Sequence, residues 1–312
     1  MRWGLIGLVV LLAGCGSTPT PVAGEGERGL ASVDGGGVVD KIFDAHAHFD
    51  GENADSGPSQ WMVEEYRQNK VAVTVVHATR KGTRTDVHSA GDLKVVLCGA
   101  VVPGKTGWRE VEKGLKDGRY SCLKVYLGYV YRFANDPFYL PFYRLARKYD
   151  VPVVFHTGDT VDKKGKVKFA DPLTIDEIAV DFPDVTFVLA HMGNPWFESA
   201  AEVVYKNDNV YVDTSALMIG DLSKADPQAI EALIVKPVQW FFHYVENPKK
   251  ILFGSDWPLV KLAPYIEAMK KAIPKAHWKD VFYENAARVF KKGVATGALA
   301  KGTSRGNRVA SP

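Results

Sequence analysis

Eight short runs of β-branched and aliphatic residues recur along this chain, at 41–47, 71–77, 94–101, 122–127, 151–156, 185–191, 210–214 and 251–256. Each is nearly apolar at every position, which is the pattern of strands buried on both faces, as in a parallel sheet. Parallel neighbours need a crossover between them. Amphipathic stretches at 59–69, 108–116, 137–148, 174–182 and 196–206 read as helices that supply it. Asp136-Pro137 and Asp226-Pro227 look like cap-then-proline helix starts. Eight such alternations predict an α/β protein, a (β/α)8 TIM barrel forming a single catalytic domain over 40–292. That span is close to the ~250 residues typical of the fold. A doubly wound open sheet is the runner-up.

The two ends stand apart from this pattern. Arg2 precedes an apolar run from Leu5 to Ala13, far shorter than the ~20 residues needed to span a bilayer, so 1–14 reads as a secretory signal. Leu12-Ala13-Gly14-Cys15 resembles a bacterial lipobox, which makes Cys15 the lipidated residue of an exported protein. Such a protein is membrane-anchored and faces the periplasm or cell surface; an ordinary signal peptide is the plainer alternative. Residues 15–39 then form a flexible linker rich in Gly, Ser, Thr and Pro, and 293–312 a disordered tail. The formal net charge is only +3, and Lys301, Arg305 and Arg308 lie in that tail. With no basic face, no P-loop and no GxGxxG after a strand, nucleic acid and nucleotide phosphates are set aside as partners. Cys98 and Cys122 both fall in apolar strand-like runs and are expected to be buried free thiols.

Polar residues cluster where the apolar runs end. The first closes with Asp44-Ala45-His46-Ala47-His48, and strand residues two apart share a face, so both imidazoles are expected to point the same way. His156 closes the fifth run, His191 the sixth and Asp256 the eighth. In a β/α barrel those C-terminal ends ring the active-site mouth. Any one of these histidines alone is an ordinary strand-end residue. Five imidazole and carboxylate groups on four strands make a constellation suited to zinc or another borderline divalent cation. His77 ends the second run and reads as packing or support, whereas His88, His243 and His277 belong to no matching constellation and read as structural.

Lys124 sits in the apolar run Cys122-Leu123-Lys124-Val125-Tyr126, where a buried ammonium is costly unless paired or neutralised. It either binds Asp256 or a substrate anion, reaches the mouth, or is chemically neutralised. Gly128-Tyr129-Val130-Tyr131-Arg132-Phe133 follows. Tyr129 and Arg132 there are candidate substrate contacts, with Arg132 an anion clamp unless the loop is simply packed. Trp196 and Trp257 are candidate pocket walls.

The passages FDAHAHFD, PVVFHTGD, FVLAHMG, NVYVDTSA, NPKKILFGSDWP and YENAARVF together resemble the amidohydrolase superfamily, specifically its amidohydrolase 2 branch of metal-dependent TIM-barrel enzymes. The resemblance implies His46, His48, His156 and Asp256 as metal ligands. His191 matches a histidine that activates substrate beside one metal or binds a second. In binuclear members a lysine at the place of Lys124 is carboxylated and bridges two metals, whereas the branch's decarboxylases generally lack it and use one.

The leading expectation is therefore a hydrolase of amides, lactones or other esters in small-molecule substrates. Zinc, as one or two ions, would activate a water, Asp256 would serve as base, and His191 or a second metal would polarise the scissile carbonyl. A metal-dependent non-oxidative decarboxylase or hydratase is the alternative. A tethered metal-binding lipoprotein without activity is the reading from another class.

Overall fold

Val71–His77 is β-branched at most positions and Leu93–Val101 is mostly apolar, and they pair in parallel over five consecutive positions to make the most regular part of the sheet. The computed structural model describes residues 39–49, 57–80 and 87–299. In it, β1 (Ile42–Ala47), β2 (Val71–His77), β3 (Leu93–Val101), β4 (Cys122–Val125), β5 (Val153–Phe155), β6 (Phe187–Leu189), β7 (Val210–Asp213) and β8 (Ile251–Leu252) each pair in parallel with the next. Bonds from Ala45 N to Phe253 O (2.8 Å), from Asp256 N to His46 O (2.7 Å) and from His48 N to Trp257 O (2.8 Å) join the first strand to the end of the last. The expected (β/α)8 barrel is thus formed, with Ser89–Ala90 added as a short antiparallel partner of β3.

Two apolar layers hold it. Phe43, Ala45, Val73, Val75, Val96, Val154, Val188 and Leu252 fill the interior, and Ala286, Val289 and Phe290 close it at one end. The outward faces of the strands pack on a ring of helices that includes Gln60–Gln68, Trp108–Lys116, Phe197–Lys206 and Leu262–Ala272. Ser59 caps the first of these by accepting from Met62 N, and Asp226 accepts from Gln228 N as a cap-then-proline start should. Asp136-Pro137 does not start a helix. Asp136 accepts from Phe138 N in a turn, and the helix begins only at Leu140–Tyr149, which carries its own early proline.

Three further differences from the sequence reading have physical causes. Strands β5, β6 and β8 stop short of His156, His191 and Asp256, and of these His191 (φ 62°) and Asp256 (φ 66°) take left-handed backbone that no ladder accommodates. Cys98 and Cys122 are not free thiols but a disulfide. The parallel register sets them directly opposite each other on β3 and β4, both inside the barrel. The chain is also helical over Lys291–Leu299, across the expected boundary at 292, and Lys94 Nζ donates to Val294 O there. The expected signal, Cys15, most of the linker and the tail beyond 299 lie outside the described residues. No helix among the described residues is long and apolar enough to cross a membrane.

Candidate metal centre

The site begins with a bulge. Strand β1 pairs Asp44 with Thr74 and then Ala47 with Val76, so it spends three steps against two of its neighbour. A bulge re-aims the side chains beyond it. Buried Asp44 turns away from the interior and accepts from Tyr66 Oη (2.7 Å), Ser255 N (2.9 Å) and Ser255 Oγ (2.5 Å), tying β1 to the chain after β8. Burial pushes its carboxyl up to about 6 although those donors pull it down. Gly254 lets the two segments meet, since a Cβ there would lie 3.0 Å from His46 Cβ.

Beyond the bulge the imidazoles converge, and each is held from behind. His46 Nδ1 donates to Asp213 Oδ2 (2.8 Å) and His48 Nδ1 to the His77 carbonyl (2.9 Å). His191 Nδ1 faces the Ser215 carbonyl (3.2 Å) and Ser215 Oγ (2.9 Å), and His156 Nε2 donates to the Asp159 carbonyl (2.9 Å). Carbonyls and carboxylates only accept, so these bonds put the ring proton on the outer nitrogen. The inner nitrogens, His46 Nε2, His48 Nε2, His191 Nε2 and His156 Nδ1, are left with lone pairs. Burial, the largest cause, and the nearby Lys124 hold His46 and His156 well below the ordinary imidazole range, which keeps both neutral.

These lone pairs face one another and a carboxylate. His48 Nε2 stands 3.3 Å and His46 Nε2 3.7 Å from Asp256 Oδ1, an oxygen that is buried with no hydrogen-bond donor. His191 Nε2 stands 3.1 Å from His156 Nδ1. Ligand atoms of His46, His191 and Asp256 all lie within 4.8 Å of one another. Acceptors gathered this closely, with a partnerless carboxylate oxygen among them, favour a cation in their midst. Nitrogen and oxygen donors of this kind fit a borderline divalent metal. The left-handed backbone at His191 and Asp256 is a local cost of the kind that clusters at functional sites.

Lys124 enters this group from β4. Its side chain is fully buried, with Nζ 3.3 Å from His46 Nε2. Among the described residues no carboxylate oxygen lies within 4.0 Å of that nitrogen, so the salt bridge to Asp256, one of the alternatives the sequence leaves open, is not made. Burial lowers the amine to about 8, against the pull of Asp213 and Asp256.

A cavity of about 430 Å³ opens above, within the range of small-molecule sites. His48, His156, His191 and Asp256 form its floor, and Tyr126, Tyr129, Val161, Leu259 and Arg80 its walls. The Arg80 guanidinium lies 4.5 Å above the Tyr129 ring and 3.6 Å from Asp162. Of the expected substrate contacts, Tyr129 lines the cavity. Arg132 does not; it forks onto Asp136 at 2.8 and 2.9 Å. Trp257 is fully buried against Trp61 and Tyr66, its indole donating to Glu65, and half-buried Trp196 precedes a helix outside the cavity lining. Sequence reasoning misses Arg80, Ser215 and Asp213. Asp213 satisfies the rule that found the others, being the first ionisable residue after an apolar run.

Solved structures share this architecture at low identity. An uncharacterised TIM-barrel protein of Bordetella bronchiseptica matches with a TM-score of 0.60 and 18% identity, over 81% of this chain and 99% of its own. A dihydroxybenzoic acid decarboxylase from a Polaromonas species, with bound manganese and 2-nitroresorcinol, matches at 0.59 and 13% over 83% and 99%. The dihydroorotase of Campylobacter jejuni matches at 0.52 and 13% over 80% and 83%. No curated protein matches the chain by sequence. The model of the family described as Amidohydrolase, of the amidohydrolase 2 type, matches residues 43–292, which is the whole barrel with every residue of the acceptor cluster: the chain belongs to the amidohydrolase family.

Proposed function

We propose that this amidohydrolase-family enzyme is a hydrolase that cleaves an amide, a lactone or another ester, with His46, His48, His156, His191 and Asp256 holding divalent metal. Zinc is the first candidate on the donor set, with manganese, present in the decarboxylase neighbour, the second. When bound, the metal supplies Lewis-acid chemistry and a water acidic enough to attack near neutrality. Asp256 takes the proton of the attacking water at its carboxylate and passes it to the leaving group. Arg80 binds an anionic part of the substrate against Tyr129.

The observation that carries the hydrolase reading is the buried Lys124 amine within the cluster, without a carboxylate partner. An ammonium without a carboxylate partner beside a metal is doubly unfavourable, through burial and through like charge. Carboxylation of the neutral amine by carbon dioxide, with the two protons of the former ammonium released to solvent, would remove the cation and would give Lys124 a pair of oxygen donors with which to hold metal beside His46. The test is to load the full chain with zinc in isotopically labelled bicarbonate, and to measure metal content, the carbamate carbon signal and turnover of lactones, amides and carboxylated aromatics. Two ions, a carbamate and hydrolysis are expected. One ion, no carbamate and carbon dioxide release would replace this reading with a decarboxylase. The specific observation on that side is Arg80 at an aromatic-walled cavity, a suitable seat for an aromatic acid.

The reading of the N-terminus as an exported, lipid-anchored segment is supported by the Cys98–Cys122 disulfide, since disulfides persist in oxidising compartments. Membrane fractionation of the wild-type chain and a Cys15→Ser variant tests it. Loss of membrane association in the variant is the expected result.

A further inference from the structure

We propose that His77 is a positioning residue that clamps the β1 bulge and thereby sets both His46 and His48 for the metal. The proposal rests on the metal reading above. His77 is fully buried at the end of β2 and touches the His46–His48 arm in three ways. Its carbonyl accepts from His48 Nδ1 at 2.9 Å, which fixes the tautomer that leaves His48 Nε2 free to bind. Its ring packs on that of His46, centroids 4.2 Å apart and planes at 58°. Its Nε2 donates to Ala45 O at 3.2 Å, inside the segment where β1 slips by one residue against β2.

The third contact separates a device from ordinary packing. A bulge leaves its strand locally without a regular ladder, so the backbone there is free to relax unless something else holds it. Ala45 immediately precedes His46, and a rotation of that peptide would carry both imidazoles away from Asp256. A leucine or phenylalanine would fill the same space without the N–H. Histidine at this position costs something as well, because with Nε2 as donor its Nδ1 is a buried acceptor without a partner. An apolar core position does not need that cost, whereas a clamp does.

Two substitutions separate these roles in the full chain. His77→Phe keeps the ring and the backbone carbonyl but removes the donor. His77→Gln restores an N–H at about the reach of Nε2. Metal affinity, measured by titrating the apoprotein with cobalt against a chelator, is expected to fall about 10- to 100-fold in His77→Phe and to recover most of the way in His77→Gln. The cobalt absorption band is expected to shift in His77→Phe, since the ligand geometry relaxes. Circular dichroism checks that each variant folds. If His77→Phe fails to fold, the comparison of wild type with His77→Gln against His77→Leu decides. Equal affinity and an unchanged cobalt spectrum in a folded variant lacking the donor would overturn the proposal. A wild-type protein that binds no cobalt would overturn the metal reading itself, a separate and distinguishable result.

Discussion

Lys124 Nζ lies 3.3 Å from His46 Nε2, so this interior amine points into a ring of imidazole lone pairs instead of at a carboxylate. Asp213 and Asp256 act on it only at longer range, and burial dominates by lowering the amine to about 8. Near that pH a useful fraction of the amine is neutral and able to capture carbon dioxide. The same geometry makes the metal-free protein sensitive to pH.

In that metal-free state the sign is fixed by the depressed value. The unfolded lysine takes up its proton near 10.5 and the folded one only near 8. Stability from this group is therefore present above about 10.5 and lost as pH falls to about 8. Lys124→Met removes the effect, and its metal-free form is expected to be more stable than wild type by up to roughly 3 kcal/mol below pH 8. Chemical denaturation of both proteins in chelator at several pH values measures the difference. A gap that does not narrow on going to high pH would show that the amine is not desolvated as described.

Asp213 carries a second prediction. It accepts from His46 Nδ1 (2.8 Å), His191 N (3.1 Å) and Ser215 N (3.1 Å), besides Ser215 Oγ, and so fixes two cluster histidines from one carboxylate. In Asp213→Asn the amide can present its N–H to His46 Nδ1, which favours the other ring tautomer and blocks Nε2. Metal affinity is expected to drop about 10- to 100-fold while the fold survives. Isothermal titration with zinc reads the affinity directly, and an unchanged affinity counts against the assigned tautomers.

The cluster was legible because its members share one position in the pattern. His156, His191 and Asp256 are each the first ionisable residue after an apolar run, and strand ends face the barrel mouth whatever the loops do. Asp213 obeys the same rule, yet its service to His46 depends on which strands become neighbours across the closed barrel. Arg132 was singled out and Arg80 missed, because reach from a loop depends on turns that carry no period. Arg132 is taken by Asp136 four residues on, while Arg80 folds over Tyr129. The disulfide was misread for a related reason. Cys98 and Cys122 meet only in the particular register that pairs β3 with β4, and hydrophobicity does not set that register.

Arg80 gives a prediction about specificity. Its ion pair with Asp162 is long, at 3.6 Å, and both side chains are substantially exposed, so the guanidinium is available to a ligand at little cost. Arg80→Met is expected to raise KM for carboxylate-bearing substrates about 10- to 100-fold, the equivalent of one charge-assisted hydrogen bond, with kcat nearly unchanged. Neutral substrates of the same shape should respond little. Steady-state kinetics on a matched acid and methyl ester separate the two, and equal losses on both would assign Arg80 a structural role.

Cys98 and Cys122 are both fully buried beneath Lys124, which makes their disulfide a staple set during folding and not a switch thrown afterwards. A thiolate needs access to a sulfur to exchange with it, and the native barrel offers none. Millimolar reductant is therefore expected to leave the native protein's free-thiol content at zero for the two, and to reduce them only once denaturant opens the barrel. The double variant Cys98→Ala, Cys122→Ala releases a cross-link spanning 24 residues and is expected to lose about 3 kcal/mol of stability. Lys124 sits two residues beyond Cys122 on the same strand, so the variant should also bind metal less tightly. Thiol titration with and without denaturant, followed by urea unfolding of the variant, checks each step. Ready reduction of the folded protein would mean that β3 and β4 part far more easily than their packing implies.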